Sequence, residues 1–386
     1  MKKLMGRYCI FTAFPFEHLG GVEKFSEGLS SELCDLGNEV WLITSSCDLQ
    51  LSQGRESGIN VIRLPSVYLM GERLPIPVLN FKARRALKVI FKTKFDGVLI
   101  NTRFFPLSLI GVLYSVHAGN VPIILEHGSN YIGVGKALLD KIIRFYEKGI
   151  TRIERLFNPV YYGVSEKSAT WIRAFSIESS GVLHNGINSS HFLSSASPID
   201  YRKLIGIDDS CLLIAFAGRM IKEKGFLKVI NVVRQLKYEG ENIHLVLAGS
   251  GPDANLIEII DDDAITFVGR LNAGEMSALF KASDVFCFPT DYPEGLPTVL
   301  LEAATQQNCI IVSHTGGSDD LIPDGSYGII LKDTDEHTIK EALYYLLANP
   351  EKRINMASRV QEMVFDNFNF ESIAEKFIDA CSQINR

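Results

Sequence analysis

No C-x-x-C pair occurs among the seven cysteines, Cys9, Cys34, Cys47, Cys211, Cys287, Cys309 and Cys381. Most stand in apolar runs, where cysteine acts as a small hydrophobe. A zinc ribbon and a disulfide scaffold are thereby excluded, and reduced thiols in a cytoplasmic protein are expected. Long apolar runs are lacking too. The most apolar window, Val98 to Val116, is interrupted by Asn101, Arg103 and Pro106, whereas a membrane span needs about 20 largely apolar residues. Residues 1–16 open with lysines and apolar side chains, but Arg7 breaks the run and no small-residue cleavage site follows. A first β-strand is expected there rather than a signal peptide. Low-complexity tracts and repeats are absent, and 46% hydrophobic with 22% charged residues excludes a disordered chain.

What is present begins with length. At 386 residues the chain is too long for one ordinary α/β core and suits two domains. The net charge of −6 hides an asymmetry: residues 1–190 carry 22 Lys and Arg against 16 Asp and Glu, the remainder 17 against 29. The first half could face an anionic partner such as a lipid surface, or the difference could be ordinary variation in solvated faces. No nucleic-acid partner is expected.

Strand-like and helix-like segments alternate along the chain. In the first half Tyr8–Ala13 is followed by a Gly-Gly turn, an amphipathic stretch Val22–Leu36 stopped by Gly37, and a strand Glu39–Thr44. Further strands are expected at Val61–Leu64, Gly97–Ile100, Val121–Leu125 and Val160–Val164. The pattern restarts after the polar stretch Asn188–Asp200: strand Leu212–Ala217, helix Phe226–Tyr238, then strands His244–Ala248, Ile265–Val268, Val285–Phe288, Cys309–Ser313 and Gly328–Leu331. This rhythm predicts an α/β protein of two doubly wound, Rossmann-like units, with ligand in an interdomain cleft at the strand ends. Boundaries are placed at 1–185 for the first domain and 186–365 for the second. Residues 366–386 form a terminal helix crossing back to the first.

The strongest chemical signal is Asp291-Tyr-Pro-Glu294-Gly-Leu-Pro-Thr298-Val-Leu-Leu-Glu302, two carboxylates eight positions apart across a strand–turn–helix junction. Pro297 suits the first helical turn. Glu294 then lies in the loop and Glu302 just over one turn into the helix, with the N–H groups near Leu296–Val299 free for a phosphate. One carboxylate can hold sugar hydroxyls on one side of a diphosphate while the other holds ribose; alternatively Glu294 is a helix-start charge and Glu302 a surface residue. Gly218-Arg219 at a strand exit and Lys224-Gly225 before the next helix supply cations for that diphosphate. Gly20-Gly21-Val-Glu23 lets backbone N–H groups approach an oxygen-rich ligand, yet lacks the third glycine of a dinucleotide fingerprint. Gly133-Val-Gly135-Lys136-Ala is no P-loop. Glu126-His127-Gly128 ends another strand, where His127 can donate to a phosphate or sugar hydroxyl with a pKa near working pH.

Together these motifs resemble the family 4 retaining glycosyltransferases of GT-B fold. The likeness runs over nearly the whole chain and also takes in Val164-Ser165, Asn185-Gly186-Ile187, Gly249-Ser-Gly251, Phe267-Val-Gly269, Gly316-Gly317 and Asp324-Gly325. The resemblance implies roles. Arg219 and Lys224 would neutralise the donor diphosphate, helped by Gly21, with Gly20 and Gly218 beside them. Glu294 would bind donor-sugar hydroxyls, Gly295-Leu296-Pro297-Thr298 the phosphate, and Glu302 the ribose. Arg270 and Leu271 would flank the base, and His127 would sit by the anomeric centre. No metal and no cofactor beyond the nucleotide-sugar donor are implied, and Asp261-Asp262-Asp263 reads as a solvated loop. Two positions depart from the family pattern: Ser318-Asp319-Asp320 replaces a Pro-acid sequence after Gly316-Gly317, and Asn188 stands where an Asp is usual.

Two stretches bear on the acceptor. Phe81–Phe95 contains no acid and sets Arg84, Arg85, Lys88 and Lys92 beside Phe81, Leu87 and Phe91; a second basic amphipathic stretch runs from Lys136 to Arg155. Each is either an ordinary flanking helix or a segment that docks on anionic lipid. The expectation is a peripheral glycosyltransferase moving a sugar, from a UDP-sugar, to a lipid-linked or cell-surface glycan precursor. The alternatives are a soluble small-molecule acceptor, or a non-catalytic nucleotide-sugar-binding subunit supporting a partner enzyme.

Overall fold

The computed structural model of the chain describes residues 5–18, 20–46, 49–69, 74–131, 137–258, 262–292 and 294–384. The Gly133–Lys136 stretch, Cys47 and Asp261 lie outside them. The chain divides into two units, residues 1–186 with 370–386, and residues 187–369.

The first unit contains β1 (Arg7–Phe11), β2 (Glu39–Ser45), β3 (Ser52–Glu56), β4 (Ile59–Leu64), β5 (Ser66–Leu69), β6 (Leu74–Pro77), β7 (Gly97–Asn101), β8 (Ile123–Glu126) and β9 (Val160–Gly163). Seven strands form one sheet in the order β3-β4-β2-β1-β7-β8-β9, and β5 and β6 form a separate antiparallel pair. Only β3 runs antiparallel within the large sheet. All five residues of β7 and all four of β8 are buried, the continuous apolar run of a parallel strand covered on both faces. One face is packed by the helix Gly21–Asp35 and the C-terminal helix Phe370–Ile384, through Phe25, Leu29, Phe370 and Phe377. A Cβ on Gly28 would stand 2.1 Å from the Phe370 ring, so this glycine lets the two helices meet. The helices Phe81–Lys92 and Pro106–His117 cover the other face.

The second unit is a six-stranded, all-parallel sheet of β10 (Leu212–Arg219), β11 (Ile243–Ser250), β12 (Ile265–Phe267), β13 (Val285–Phe288), β14 (Cys309–Ser313) and β15 (Ile329–Leu331), in the order β12-β11-β10-β13-β14-β15. The helix Phe226–Tyr238 buries Phe226, Val229, Ile230, Val233 and Leu236 at helical spacing. A single core runs through the unit.

Each sheet reverses its strand order once. In the first unit the chain builds β1, β2 and β4 to one side and then places β7 on the other flank of β1; in the second it builds β10, β11 and β12, then places β13 beside β10. Such switch points open a crevice at the carboxyl ends of the two diverging strands. Among the strands, β3, whose Ser-Gln-Gly-Arg-Glu sequence is largely exposed, and the β5–β6 hairpin went unforeseen. Both lack a buried apolar run. Among the described residues six cysteines are free, five of them buried, and no helix is long and apolar enough to cross a membrane.

Candidate active site

In the second unit, loops from three strands converge at the switch point. β10 and β13 pair at Ile214–Val285 and Ala215–Phe286, while β10 runs on to Gly218-Arg219. The chain then makes a short turn at Lys222–Lys224 and enters its helix through Gly225 at φ +83°. A Cβ on Gly225 would lie 2.2 Å from the Pro289 carbonyl oxygen, so the loop after β10 rests directly on the loop after β13. The Asp291 N–H donates to the Glu223 carbonyl at 2.7 Å, and Thr290 Oγ1 donates to the same oxygen at 3.3 Å. Lys228 Nζ donates to Asp291 Oδ2 at 2.7 Å and to Thr334 Oγ1 at 2.9 Å. From the β14 side, Gly316 at φ +48° packs so closely that a Cβ would fall 1.9 Å from the Gly295 carbonyl oxygen.

This scaffold brings Lys224 and Glu294 together. The ammonium donates to Glu294 Oε1, and the two side chains are only 13% and 17% exposed. The ammonium also lies 5.2 Å from the Phe288 ring centre and 5.0 Å from that of Tyr292, near enough for cation–π attraction. Burial, and secondarily the positive charge of Arg219, lowers the Lys224 pKa to about 8. Arg219 itself is exposed at the end of β10. A desolvated lysine with one carboxylate and a second cation nearby can stabilise negative charge that develops on a ligand.

The helix Thr298–Thr305 starts beside this pair. Pro297 is its N-cap and not a first-turn residue, and no N-cap side chain bonds to the helix start. No acidic residue occupies the first turn, so the positive helix end is open to an anion. Gly295, Leu296 and Thr298 lead into that end, with Leu296 buried in the core. Glu302 is half-buried on the same helix. Arg270 and Leu271 belong to the loop after β12, two strands from the switch point; Arg270 is exposed and Leu271 packs on the core. Phe288, Tyr292 and the Asp291–Lys228 pair are the parts that sequence reasoning missed. Asp291 and Tyr292 stood in the Asp291–Pro297 segment itself, but nothing there tells which side chain turns toward Lys224; Phe288 reads as the end of an apolar strand and Lys228 as a helix-surface cation.

The first unit has its own site residues at its switch point. A pocket of about 280 Å³ is lined by residues after β1 (Phe14, His18, Glu23), after β7 (Thr102, Arg103) and after β8 (His127). Gly20 is the N-cap of the helix that starts at Gly21. His127 Nε2 lies 2.9 Å from Asn101 Oδ1, and Asn101 Nδ2 donates to Ser26 Oγ at 2.9 Å. With the amide oriented this way, Nε2 carries the proton and Nδ1 is an acceptor. The Phe25 ring stands edge-on to the imidazole, centres 5.3 Å apart. Surrounding protein pushes the His127 pKa down to about 3. This corrects the expectation of a histidine that titrates near working pH and donates to phosphate. It is neutral, its proton is engaged by Asn101, and what it offers is an acceptor.

In the wall of the pocket, Arg103 is 1% exposed and pairs with Glu126 and, at 3.2 Å, with Glu147. Its guanidinium also stacks 3.8 Å from the Phe175 ring centre. Glu126 Oε1 accepts from the Gly128 N–H at 2.9 Å, which anchors the backbone on both sides of His127.

Two doubly wound, largely parallel sheets, each with polar residues at its switch point, are the architecture of the glycosyltransferases of GT-B fold. Two family models match successive parts of the chain, Glycosyltransferase Family 4 over residues 19–191 and Glycosyl transferases group 1 over residues 199–363. The chain belongs to this group 1, family 4 glycosyltransferase family. An uncharacterized glycosyltransferase of Methanocaldococcus jannaschii, MJ1069, is 25% identical, with 98% of each chain covered. Alpha-monoglucosyldiacylglycerol synthase of Streptococcus pneumoniae is 24% identical over 93% of this chain and 86% of that protein. Among solved structures, Anabaena Alr3699/HepE in complex with UDP-glucose shares the fold at TM-score 0.72 and 15% identity, covering 98% of this chain and 100% of the other.

Proposed function

We propose that this chain is a retaining glycosyltransferase that moves a sugar from a UDP-sugar to a hydroxyl of a lipid-linked or cell-surface glycan precursor. The observation that carries the reading is the largely buried Lys224–Glu294 pair at the β10/β13 switch point, beside a helix start with no acidic residue in its first turn. Arg219, Lys224 and the N–H groups at Gly295–Thr298 take the diphosphate, Glu294 the sugar hydroxyls and Glu302 the ribose. Arg270 and Leu271 flank the base. Gly20, Gly21 and Gly218 allow close approach of backbone to the donor. His127 accepts a hydrogen bond from a substrate hydroxyl.

The bond between the anomeric carbon and the diphosphate oxygen breaks as the acceptor oxygen attacks from the same face. The diphosphate leaves with the electron pair and takes the acceptor's proton. Arg219 and Lys224 stabilise its growing charge, an electrostatic contribution that needs no separate base. A donor with UDP is supported by the UDP-glucose complex of the Anabaena neighbour, and a lipid acceptor by the streptococcal relative, an alpha-monoglucosyldiacylglycerol synthase. Free thiols fit a cytoplasmic setting, peripheral on the membrane.

A thermal-shift series with UDP-, GDP- and ADP-sugars tests the donor, because a bound ligand stabilises by mass action. The UDP-sugars should raise the midpoint and Glu294→Ala should remove the rise. No shift with any nucleotide sugar would overturn the reading.

A further inference from the structure

The helix Ala137–Arg155 is inverted relative to an ordinary flanking helix. Its inward side buries Ile143 and Ile150 but also Glu147, Thr151 and Glu154. Its outward side carries the larger apolar residues: Leu138 is 76% exposed, Ile142 56%, Phe145 81% and Ile153 47%, with Leu156 at 75% just beyond the helix. The steps of four, three, eight and three place all five on one stripe of an α-helix, at about 100° per residue. Gly149 falls on the same stripe. Every other exposed residue from 138 to 156 is a cation: Lys141, Arg144, Lys148, Arg152 and Arg155.

The inversion has a local cause. Buried Arg103 needs carboxylates, and this helix supplies Glu147 directly, with Arg103 also acting on Glu154 by its charge. Burial raises the Glu154 pKa well above the ordinary carboxylate value. Turning Glu147 and Glu154 inward leaves only Asp140, half-buried in the first turn, as an acid that reaches the surface of this helix, and directs the apolar stripe at solvent. The helix Phe81–Lys92 makes the contrast. It buries Ala83, Ala86, Leu87 and Ile90 and keeps Arg84, Arg85, Lys88 and Lys92 outside, and its exposed large apolar side chains, Phe81 and Val89, do not build a stripe along its length.

We propose that Ala137–Arg155 docks the protein in the plane of an anionic lipid surface, with Leu138, Ile142, Phe145, Ile153 and Leu156 entering the headgroup boundary. The five cations meet the lipid charge. A stripe of exposed large apolar side chains spaced along 19 residues, about 28 Å of helix, matches an interfacial helix. A flank of five exposed cations against one half-buried acid, Asp140, matches an anionic surface. A second copy of the chain is a poor occupant, because pairing stripe on stripe would bring like charges together. The inference deepens the reading of a membrane-borne acceptor and rests on it for its purpose, but adsorption is measured without turnover.

The test is vesicle flotation with phosphatidylglycerol–phosphatidylcholine vesicles and with phosphatidylcholine alone. The full-length protein should float with the anionic vesicles only, and about 0.5 M salt should reduce the bound fraction. Ile142→Ser combined with Phe145→Ser, and separately Lys141→Glu combined with Arg152→Glu, should each lower partitioning about tenfold or more. Both should keep the wild-type melting temperature and nucleotide-sugar thermal shift. No flotation of the wild type, or wild-type flotation of the variants, overturns the proposal. So does a wild-type dimer in light scattering that Phe145→Ser dissociates. Flotation without any nucleotide-sugar shift would sink the donor reading and leave this one standing.

Discussion

Lys224 donates to Glu294 across the point where β10 and β13 diverge, and neither side chain is more than 17% exposed. The two residues are 70 positions apart in sequence. Backbone contacts, Gly225 against Pro289 and Gly316 against Gly295, hold their loops together. Burying an ion pair costs desolvation that the pairing alone only partly returns. A site that is to receive a diphosphate and sugar hydroxyls gains from having the cation and carboxylate already desolvated and aimed.

From this pairing follows a joint loss of function. Lys224→Ala and Glu294→Ala should each lower kcat/KM for transfer by about 10²–10³-fold, the scale of removing one preorganised charge-stabilising group. Each should keep a cooperative thermal transition. The double variant should fall by much less than the product of the two, since the residues act as a unit. Steady-state kinetics with a UDP-sugar checks this, and multiplicative losses would show that the pair does not function together.

The depressed Lys224 pKa sets a pH dependence. In the free protein the ammonium is lost as pH rises through about 8, well below the usual lysine range. Donor affinity should therefore be flat below that pH and weaken above it, approaching tenfold per unit if only the cation binds. Lys224→Arg keeps its charge through this range and should abolish the alkaline limb, even where its different geometry weakens binding overall. Titration calorimetry from about pH 6.5 to pH 9.5 distinguishes the two, and an unchanged limb in the arginine variant would assign it to another group.

The buried strands were legible because parallel strands covered on both faces read as unbroken apolar runs: Val285–Phe288 and Cys309–Ser313 fall where their hydrophobicity puts them. The helices Phe226–Tyr238 and Phe370–Ile384 were equally plain from their periodicity. β3 was not, since an exposed edge strand has no burial pattern to leave in Ser-Gln-Gly-Arg-Glu. Lys224 and Glu294 stood out individually by motif, but their direct contact is a property of two loops and of the glycines between them. The state of His127 was misread for the same reason. Asn101 Oδ1, on another strand and itself oriented by Ser26, accepts its proton, and no local sequence signal reports that.

Gly225 should be the most sensitive glycine of the donor loop. An alanine there would combine φ of +83° with a Cβ 2.2 Å from the Pro289 carbonyl oxygen. Gly206 at φ +74° faces open space and isolates the backbone strain alone, about 1–2 kcal/mol. Gly225→Ala should destabilise by more than Gly206→Ala and should also lose nucleotide-sugar binding as the Lys224 turn shifts. Urea unfolding and thermal shift on both variants test this; equal effects would mean that the two loops are not in firm contact.

Glu23 carries the last prediction. It is 4% exposed at the edge of the first unit's pocket, its Oε1 lies 3.6 Å from His18 Nδ1, and it presses on Gly20 so closely that a Cβ there would fall 2.2 Å from its Oε2. Burial raises its pKa to about 7, against a smaller lowering by its own backbone N–H. An acid whose folded pKa lies above its unfolded value holds an extra proton in the native state between the two. Stability is therefore full below the unfolded value near 4.5 and falls as pH rises to about 7. The loss by pH 8 is on the order of 3 kcal/mol. Glu23→Gln removes the ionisation while keeping the shape, so its stability relative to wild type should rise from near zero at about pH 4.5 to its maximum above about pH 7. Because other groups titrate in both proteins, the difference between the two urea midpoints is the quantity to follow. A difference that stays constant with pH would mean that Glu23 is ionised in the native state throughout this range.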